Sequence, residues 1–321
     1  MSLSDAAVRR LREATDAPDL TGTKYEIVER LGQGGMGTVY RAYDRELARE
    51  VALKVVRLPE SSPDTANRLM REARTLAQLE HPGIVPVHDV GTLPDGRVFY
   101  AMKLVRGSPL DALPAGDLAD RLRIVERVCE AIGFAHAHGV IHRDLKPQNV
   151  MVGSFGEVLV MDWGVAKLRG DSATLGGVPP SPLRPDAPTT GDGVVLGTPG
   201  YMSPEQASGN SAAIDGRSDV FAIGAILRDL CKGASDDSTS IPRPLQAIIT
   251  RAMAPEPAAR YASVDALAGD VAAFRAAEPV SAYRESVAER ARRLARRHST
   301  PILLVVAYLI MRLTFLVVFR R

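Results

Sequence analysis

Residues 140–150 read Val-Ile-His-Arg-Asp-Leu-Lys-Pro-Gln-Asn-Val, and no other stretch restricts this chain as strongly. The spacing places three chemical functions at one spot. Asp144 supplies a carboxylate that can orient an attacking hydroxyl or accept its proton, Lys146 an ammonium that balances phosphate charge, and Asn149 an amide oxygen that can ligate a metal. Eighteen residues after Asp144, Val160-Met161-Asp162-Trp163-Gly164 ends an apolar strand on a carboxylate beside a glycine. Asp162 is the natural primary ligand for magnesium, which wants hard oxygens and keeps phosphate and water around it.

Two further patterns lie upstream. Gly32-Gln33-Gly34-Gly35-Met36-Gly37 matches G-x-G-x-x-G, which alone is as compatible with an ordinary turn as with nucleotide binding. The next six residues are Thr38-Val39-Tyr40-Arg41-Ala42-Tyr43, whose branched and aromatic side chains favour a strand over the helix of a dinucleotide fold. The glycines therefore sit on a β-hairpin, where backbone can close over phosphates without side-chain obstruction. Lys54, seventeen residues beyond Gly37, lies in a strand among Val51, Leu53, Val55 and Val56. A solvated strand lysine is the bland alternative. Beside a glycine hairpin, it can neutralise phosphate oxygens, and Glu72 on the next helical pattern could hold its ammonium.

The organisation fits one two-part domain with appendages, as 321 residues allow. Short β-like runs begin at Tyr25 and form an antiparallel meander. Apolar spacing predicts a helix over 64–80, strands near Val85–Val90 and Val98–Leu104 joined by a Pro-Asp-Gly turn, and helices at 117–138, 217–230, 242–254 and 264–277. Residues 170–196, with five prolines among Ser, Thr, Gly and Asp, read as a loop. Two cysteines exclude a disulfide scaffold or a multi-thiolate zinc module and fit a reducing compartment. The first twenty residues hold no signal-peptide core, so export is not expected.

These motifs, in this order, resemble those of the eukaryotic-like (bacterial) serine/threonine protein kinases over about residues 25–277. The resemblance implies an α+β, bilobal protein-kinase-like fold: a polar extension at 1–24, an N-lobe of antiparallel sheet plus one helix at 25–105, and a mainly helical C-lobe at 106–280 with an activation segment at 162–205. It assigns Gly32, Gly34 and Gly37 to a phosphate-covering loop, Lys54 and Glu72 to an activating ion pair, Asp144 to the catalytic base and Lys146 to the γ-phosphate. Asn149 and Asp162 become ligands of Mg2+, with Mn2+ the alternative ion. Val39, Ala52 and Met151 would enclose the adenine of ATP, Met102 would be the gatekeeper, and Leu104 and Val105 would belong to the hinge. Leu145-Lys146-Pro147 points to protein serine/threonine acceptors, because tyrosine kinases differ there. Gly197–Glu205 resembles the segment that docks a protein substrate, with Thr198 bridging Asp144 and Lys146, Glu205 paired with Arg260, and Asp219 bracing the catalytic loop. Arg143 would receive a phosphate from the activation segment, at Thr190 first and Thr189 second, which makes a homodimer for trans-autophosphorylation an expected partner.

Trp163 stands where the family has phenylalanine, and Ser203 where it has alanine. The stretch from Leu230 to Pro242 is short, so a reduced substrate platform is expected. A nucleotide-binding pseudokinase or signalling scaffold is the alternative, weighed against the intact Lys54, Asp144, Asn149 and Asp162. A small-molecule phosphotransferase is disfavoured by the Gly197–Glu205 segment.

The C-terminus has its own character. The net charge of +2 divides into +7 over residues 284–321 and −5 elsewhere, which argues against nucleic acid and for a local anionic surface such as membrane lipid. Ser281–His298 reads as a basic helix within a juxtamembrane region at 281–300. Ile302–Phe319 reads as an apolar, single-pass membrane helix within 301–321; its thirteen Ile, Leu, Val and Phe outweigh Arg312 by roughly 3 kcal/mol on the insertion scale. A buried soluble helix is the alternative. Arginines ahead of the run place the preceding domain in the cytoplasm at the cell membrane, and no external sensor is expected beyond it.

Overall fold

The computed structural model describes residues 17–34, 37–56, 70, 71, 73–114, 116–163, 200–209, 213–234, 241–291, 307, 308 and 310–312. Strands β1 (Tyr25–Gly34), β2 (Gly37–Asp44), β3 (Arg49–Val56), β4 (Val87–Thr92) and β5 (Val98–Lys103) form one antiparallel sheet in the order β1-β2-β3-β5-β4. Alternation along β3 decides what each face carries. Val51, Leu53 and Val55 enter a small outer core with Tyr25, Tyr40 and Phe99. Ala52 and Val56 belong to the opposite core, which runs on into the helical lobe. Lys54 shares the parity of that second face.

Pro94-Asp95-Gly96 forms the expected turn, closed by Gly96 N–H donating to Leu93 O and with Gly96 at φ +82°. The strand expected from Val85 instead starts at Val87. Pro86 has no N–H for a ladder, and the N–H of Val85 donates to Val160 O in the other lobe. Residues 73–77 are helical and bury Ala73 and Leu76, while the earlier part of the 64–80 pattern lies mostly outside the described residues.

The second lobe is built on α1 (Leu118–Ala137), which packs against α3 (Gly216–Ala234) and α5 (Val264–Arg275); α4 (Arg243–Ala252) packs against α3 and α5. Leu122, Val125, Val128, Cys129, Ile132 and Ala135 are the buried stripe of α1. That helix ends on Gly139 at φ +74°, whose N–H donates to His136 O. Short α2 (Pro204–Ala207) opens with a capping box between Ser203 and Gln206. A three-stranded sheet of β6 (Gly107–Pro109), β7 (Val150–Gly153) and β8 (Val158–Val160), not expected as a unit from sequence, lies against this lobe. Ile84 bridges to Val160, so the two lobes are joined at the end of β8.

The basic helix expected over Ser281–His298 begins later. Residues 281–286 are not helical, because Asp270 on α5 accepts from the N–H groups of Ser281 and Ala282 and from the Ser281 hydroxyl. Ser286 and Glu289 then form reciprocal capping bonds, and residues 287–291 are helical; 292–300 lie outside the described residues. The apolar run at 302–319 also lies largely outside them. Among the described residues no helix is long and apolar enough to cross a membrane.

Candidate active site

The site assembles where β3, the loop before β7 and the end of β8 meet. Cross-strand register sets Val39 opposite Lys54, Ala52 opposite Met102 and Lys54 opposite Tyr100, so all five share one sheet face. Ala52 and Met102 are buried, and Val39, Leu104 and Val105 pack half-buried against the same core. Met151 is half-buried on β7, opposite Leu159. Above this face, β1 and β2 are linked through the glycine segment. A methyl group on Gly32 or Gly34 would meet nothing within 4 Å, whereas one on Gly37, at φ +146°, would collide with Val55 O.

Lys54 is buried, and its Nζ lies 2.7 Å from Asp162 Oδ1. Burial works against the ammonium, but Tyr100 and Asp162 outweigh it and hold the lysine pKa above its ordinary value. The Tyr100 ring, its centroid 5.8 Å from that nitrogen, is reached in the sequence by two-residue alternation from Met102. Glu72 lies outside the described residues, as do Thr189, Thr190 and Thr198.

The Val140–Val150 string forms a loop braced from below. Asp219 on α3, 1% exposed, accepts from the N–H of His142 at 2.8 Å and of Arg143 at 3.0 Å, and its Oδ2 meets His136 Nε2 at 2.8 Å. Burial alone would raise the Asp219 pKa; His136 and the His142 amide reverse that and lower it. Nothing in the sequence around His136 marks this role. Asp144 receives a bond from Lys146 Nζ at 3.2 Å, and Asn149 Nδ2 donates to Asp144 O at 2.7 Å, which turns its amide oxygen the other way. Gln206 Nε2 ties α2 to the same loop by donating to Arg143 O.

His142 connects this loop to the end of β8. Its partners fix the tautomer: Nε2–H donates to Met161 O at 2.9 Å, and Nδ1 accepts from Asp144 N–H at 3.3 Å. Full burial lowers its pKa and keeps the ring neutral. Arg143 and Asp162 both stand at positive φ, +64° and +54°. Strain of this kind persists only where the surroundings enforce it.

Below the loop, Arg260 grips Glu205 through two bonds of 2.7 and 2.8 Å, with both side chains nearly inaccessible. Although burial favours the neutral acid, Arg260 and Ser218 bring the Glu205 pKa down to about 2. Tyr201 donates to Asp229 at 2.7 Å on the flank of a cleft lined by Arg143, Asp144, Lys146 and Met202.

An antiparallel sheet lobe and a helical lobe, joined at the end of β8 and through the Lys54–Asp162 pair, make a protein kinase fold. The protein kinase domain family matches residues 25–258, and the chain belongs to that family. It is 42% identical over 223 residues to the DNA damage-responsive serine/threonine-protein kinase RqkA of Deinococcus radiodurans, covering 67% of this chain and 30% of that protein. Identity is 38% to serine/threonine-protein kinase PknB of Mycolicibacterium smegmatis, covering 67% and 33%. The crystal structure of the Mycobacterium tuberculosis PknI kinase domain superposes with a TM-score of 0.56 at 30% identity, covering 80% of this chain and 98% of that one. The chain spans about a third of the length of these curated relatives.

Proposed function

We propose that this chain is a protein serine/threonine kinase that transfers the γ-phosphoryl group of ATP to protein hydroxyls. The observation that carries the reading is a chain of contacts between three separate stretches: Lys54 pairs with Asp162, Met161 beside it donates its N–H to Asn149 O, and Asn149 donates to Asp144 O. In the transfer, an acceptor oxygen forms a bond to the γ-phosphorus while the bond to the ADP oxygen breaks. Asp144 orients the hydroxyl and takes its proton, and Lys146 offsets charge on the moving group. Lys54 holds phosphate oxygens, Gly32, Gly34 and Gly37 let backbone approach them, and Val39, Ala52, Met102, Leu104, Val105 and Met151 surround the adenine.

The residues suit a magnesium ion. Asp162 and Asn149 offer hard oxygens, to which phosphate and water would add. Bound there, the ion would neutralise phosphate charge.

Arg143 is the receiving group we assign to a phosphorylated Thr190 or Thr189, with a second copy of the chain as the phosphorylating partner. We further assign 302–319 to membrane anchoring with the kinase domain in the cytoplasm, supported by the apolar run and the arginines before it. Deleting 299–321 should release the protein from membranes and leave ATP turnover intact. The activity itself is tested with γ-labelled ATP and a protein acceptor, comparing the natural chain with Asp144→Asn. Labelling should fall by roughly a hundredfold or more; equal labelling refutes the kinase reading and favours a nucleotide-binding scaffold.

A further inference from the structure

Ser203, standing where the family has alanine, is wholly buried, and Gln206 lies half-buried three residues on, lining the cleft beside Arg143 and Asp144. The Gln206 amide is committed at both ends. Its Oε1 accepts from the Ser203 N–H at 3.2 Å and from the Ser203 hydroxyl at 3.0 Å, and its Nε2 donates to Arg143 O at 2.7 Å. Alanine at 203 would lack the hydroxyl bond. Two donors on the oxygen settle which way the amide stands and turn its NH2 group toward the loop. The capping box of α2 thus also aims a donor outward.

The carbonyl it meets belongs to a strained residue, Arg143 at φ +64°. The peptide before Arg143 is held by Asp219, which accepts the Arg143 N–H at 3.0 Å. The peptide after it, which leads into Asp144, is held at its carbonyl by Gln206 at 2.7 Å and at its N–H by His142 Nδ1 at 3.3 Å. The torsions of Arg143 lie between these two peptides, so its left-handed backbone persists only while both are fixed. Asp219 fixes the first from below. Gln206 is the shorter of the two holds on the second, and that peptide sets the direction in which Asp144 leaves the chain.

We propose that Gln206 is a positioning residue for Asp144: its side-chain N–H, aimed by Ser203, fixes the Arg143–Asp144 peptide and so directs the Asp144 carboxylate toward the acceptor hydroxyl. The consequence for turnover rests on the kinase reading above; the consequence for the peptide does not.

The test uses the full chain at about pH 8. Gln206→Glu keeps an oxygen for Ser203 and loses the donor, Gln206→Met loses both without adding charge, and Ser203→Ala removes the hydroxyl bond and keeps the donor. Hydrogen–deuterium exchange is followed at 142–146 in nucleotide-free protein, with kcat, the KM for ATP and melting temperature in parallel. Loss of the donor should speed exchange at 142–146 by roughly three- to tenfold in both Gln206 variants. It should lower kcat by a similar factor and leave the KM for ATP within about twofold. Ser203→Ala should lower the melting temperature, with smaller changes in exchange and kcat. Unchanged exchange in both Gln206 variants overturns the proposal. So does a fall in kcat that tracks melting temperature alike in Gln206→Glu and Ser203→Ala, which would mark the pair as a helix cap alone. If the natural chain transfers no phosphate, the kinase reading fails while the exchange result still decides the role of Gln206.

Discussion

Lys54 and Asp162 stand 108 residues apart in sequence and 2.7 Å apart in the fold. Lys54→Met keeps the length of the side chain and removes its charge. Phosphoryl transfer should drop by roughly a hundredfold or more, with denaturant stability altered by only about 1 kcal/mol because Asp162 is one-third exposed to water. The raised lysine pKa fixes the sign of the pH effect. The pair's contribution to stability is complete below 10.5, the ordinary lysine value, and is lost only as pH climbs through the higher folded value. No alkaline fall in stability traceable to Lys54 should therefore appear between pH 7 and 10; urea unfolding of the two proteins across that range checks this.

Gly34 and Gly37 of the hairpin should separate by experiment. Gly37→Ala forces a methyl group against the Val55 carbonyl at positive φ and should destabilise the N-lobe by about 2 kcal/mol or more. Gly34→Ala meets open space and should melt like the natural chain while raising the KM for ATP several-fold. Thermal unfolding and steady-state kinetics of both variants distinguish a fold effect from a binding effect; equal melting losses would contradict the assigned geometry.

Glu205 is expected to make the helical lobe acid-sensitive. Its carboxyl falls from an ordinary 4.5 to about 2 in the folded chain, worth up to about 3 kcal/mol at neutral pH. That stability is present above 4.5 and is lost as pH falls toward 2. Glu205→Gln leaves Arg260 buried beside a neutral partner and should cost about 3 kcal/mol or more at pH 7. The gap between natural and variant unfolding free energies should narrow below pH 4.5. A gap constant with pH would mean that the pair does not carry this titration.

Much of this arrangement could be read from the chain because its determinants are local. Glycine spacing, strand alternation around Lys54 and the contiguous Asp144-to-Asn149 string each fix geometry within a few residues, and helix limits at Leu118–Ala137 and Val264–Arg275 obey apolar period and caps. The features that escaped depend on long-range partners. His136 looks like any helix histidine until α3 brings Asp219 to it. The bond from the Trp163 indole N–H to Val160 O needs the turn at the end of β8 to exist first. Residues 281–286 carry helix-compatible spacing, yet Asp270, eleven residues back, claims the amides a first helical turn would leave free.

That claim has mechanical weight. Asp270 also accepts from the buried Tyr261 hydroxyl, Val280 is sunk into the core, and Arg251 reaches the Ser281 hydroxyl. The polypeptide thus leaves the helical lobe at a fixed exit and in a fixed heading. A pull on the chain past Ala282 would therefore be handed to helix α5 through the Asp270 bonds.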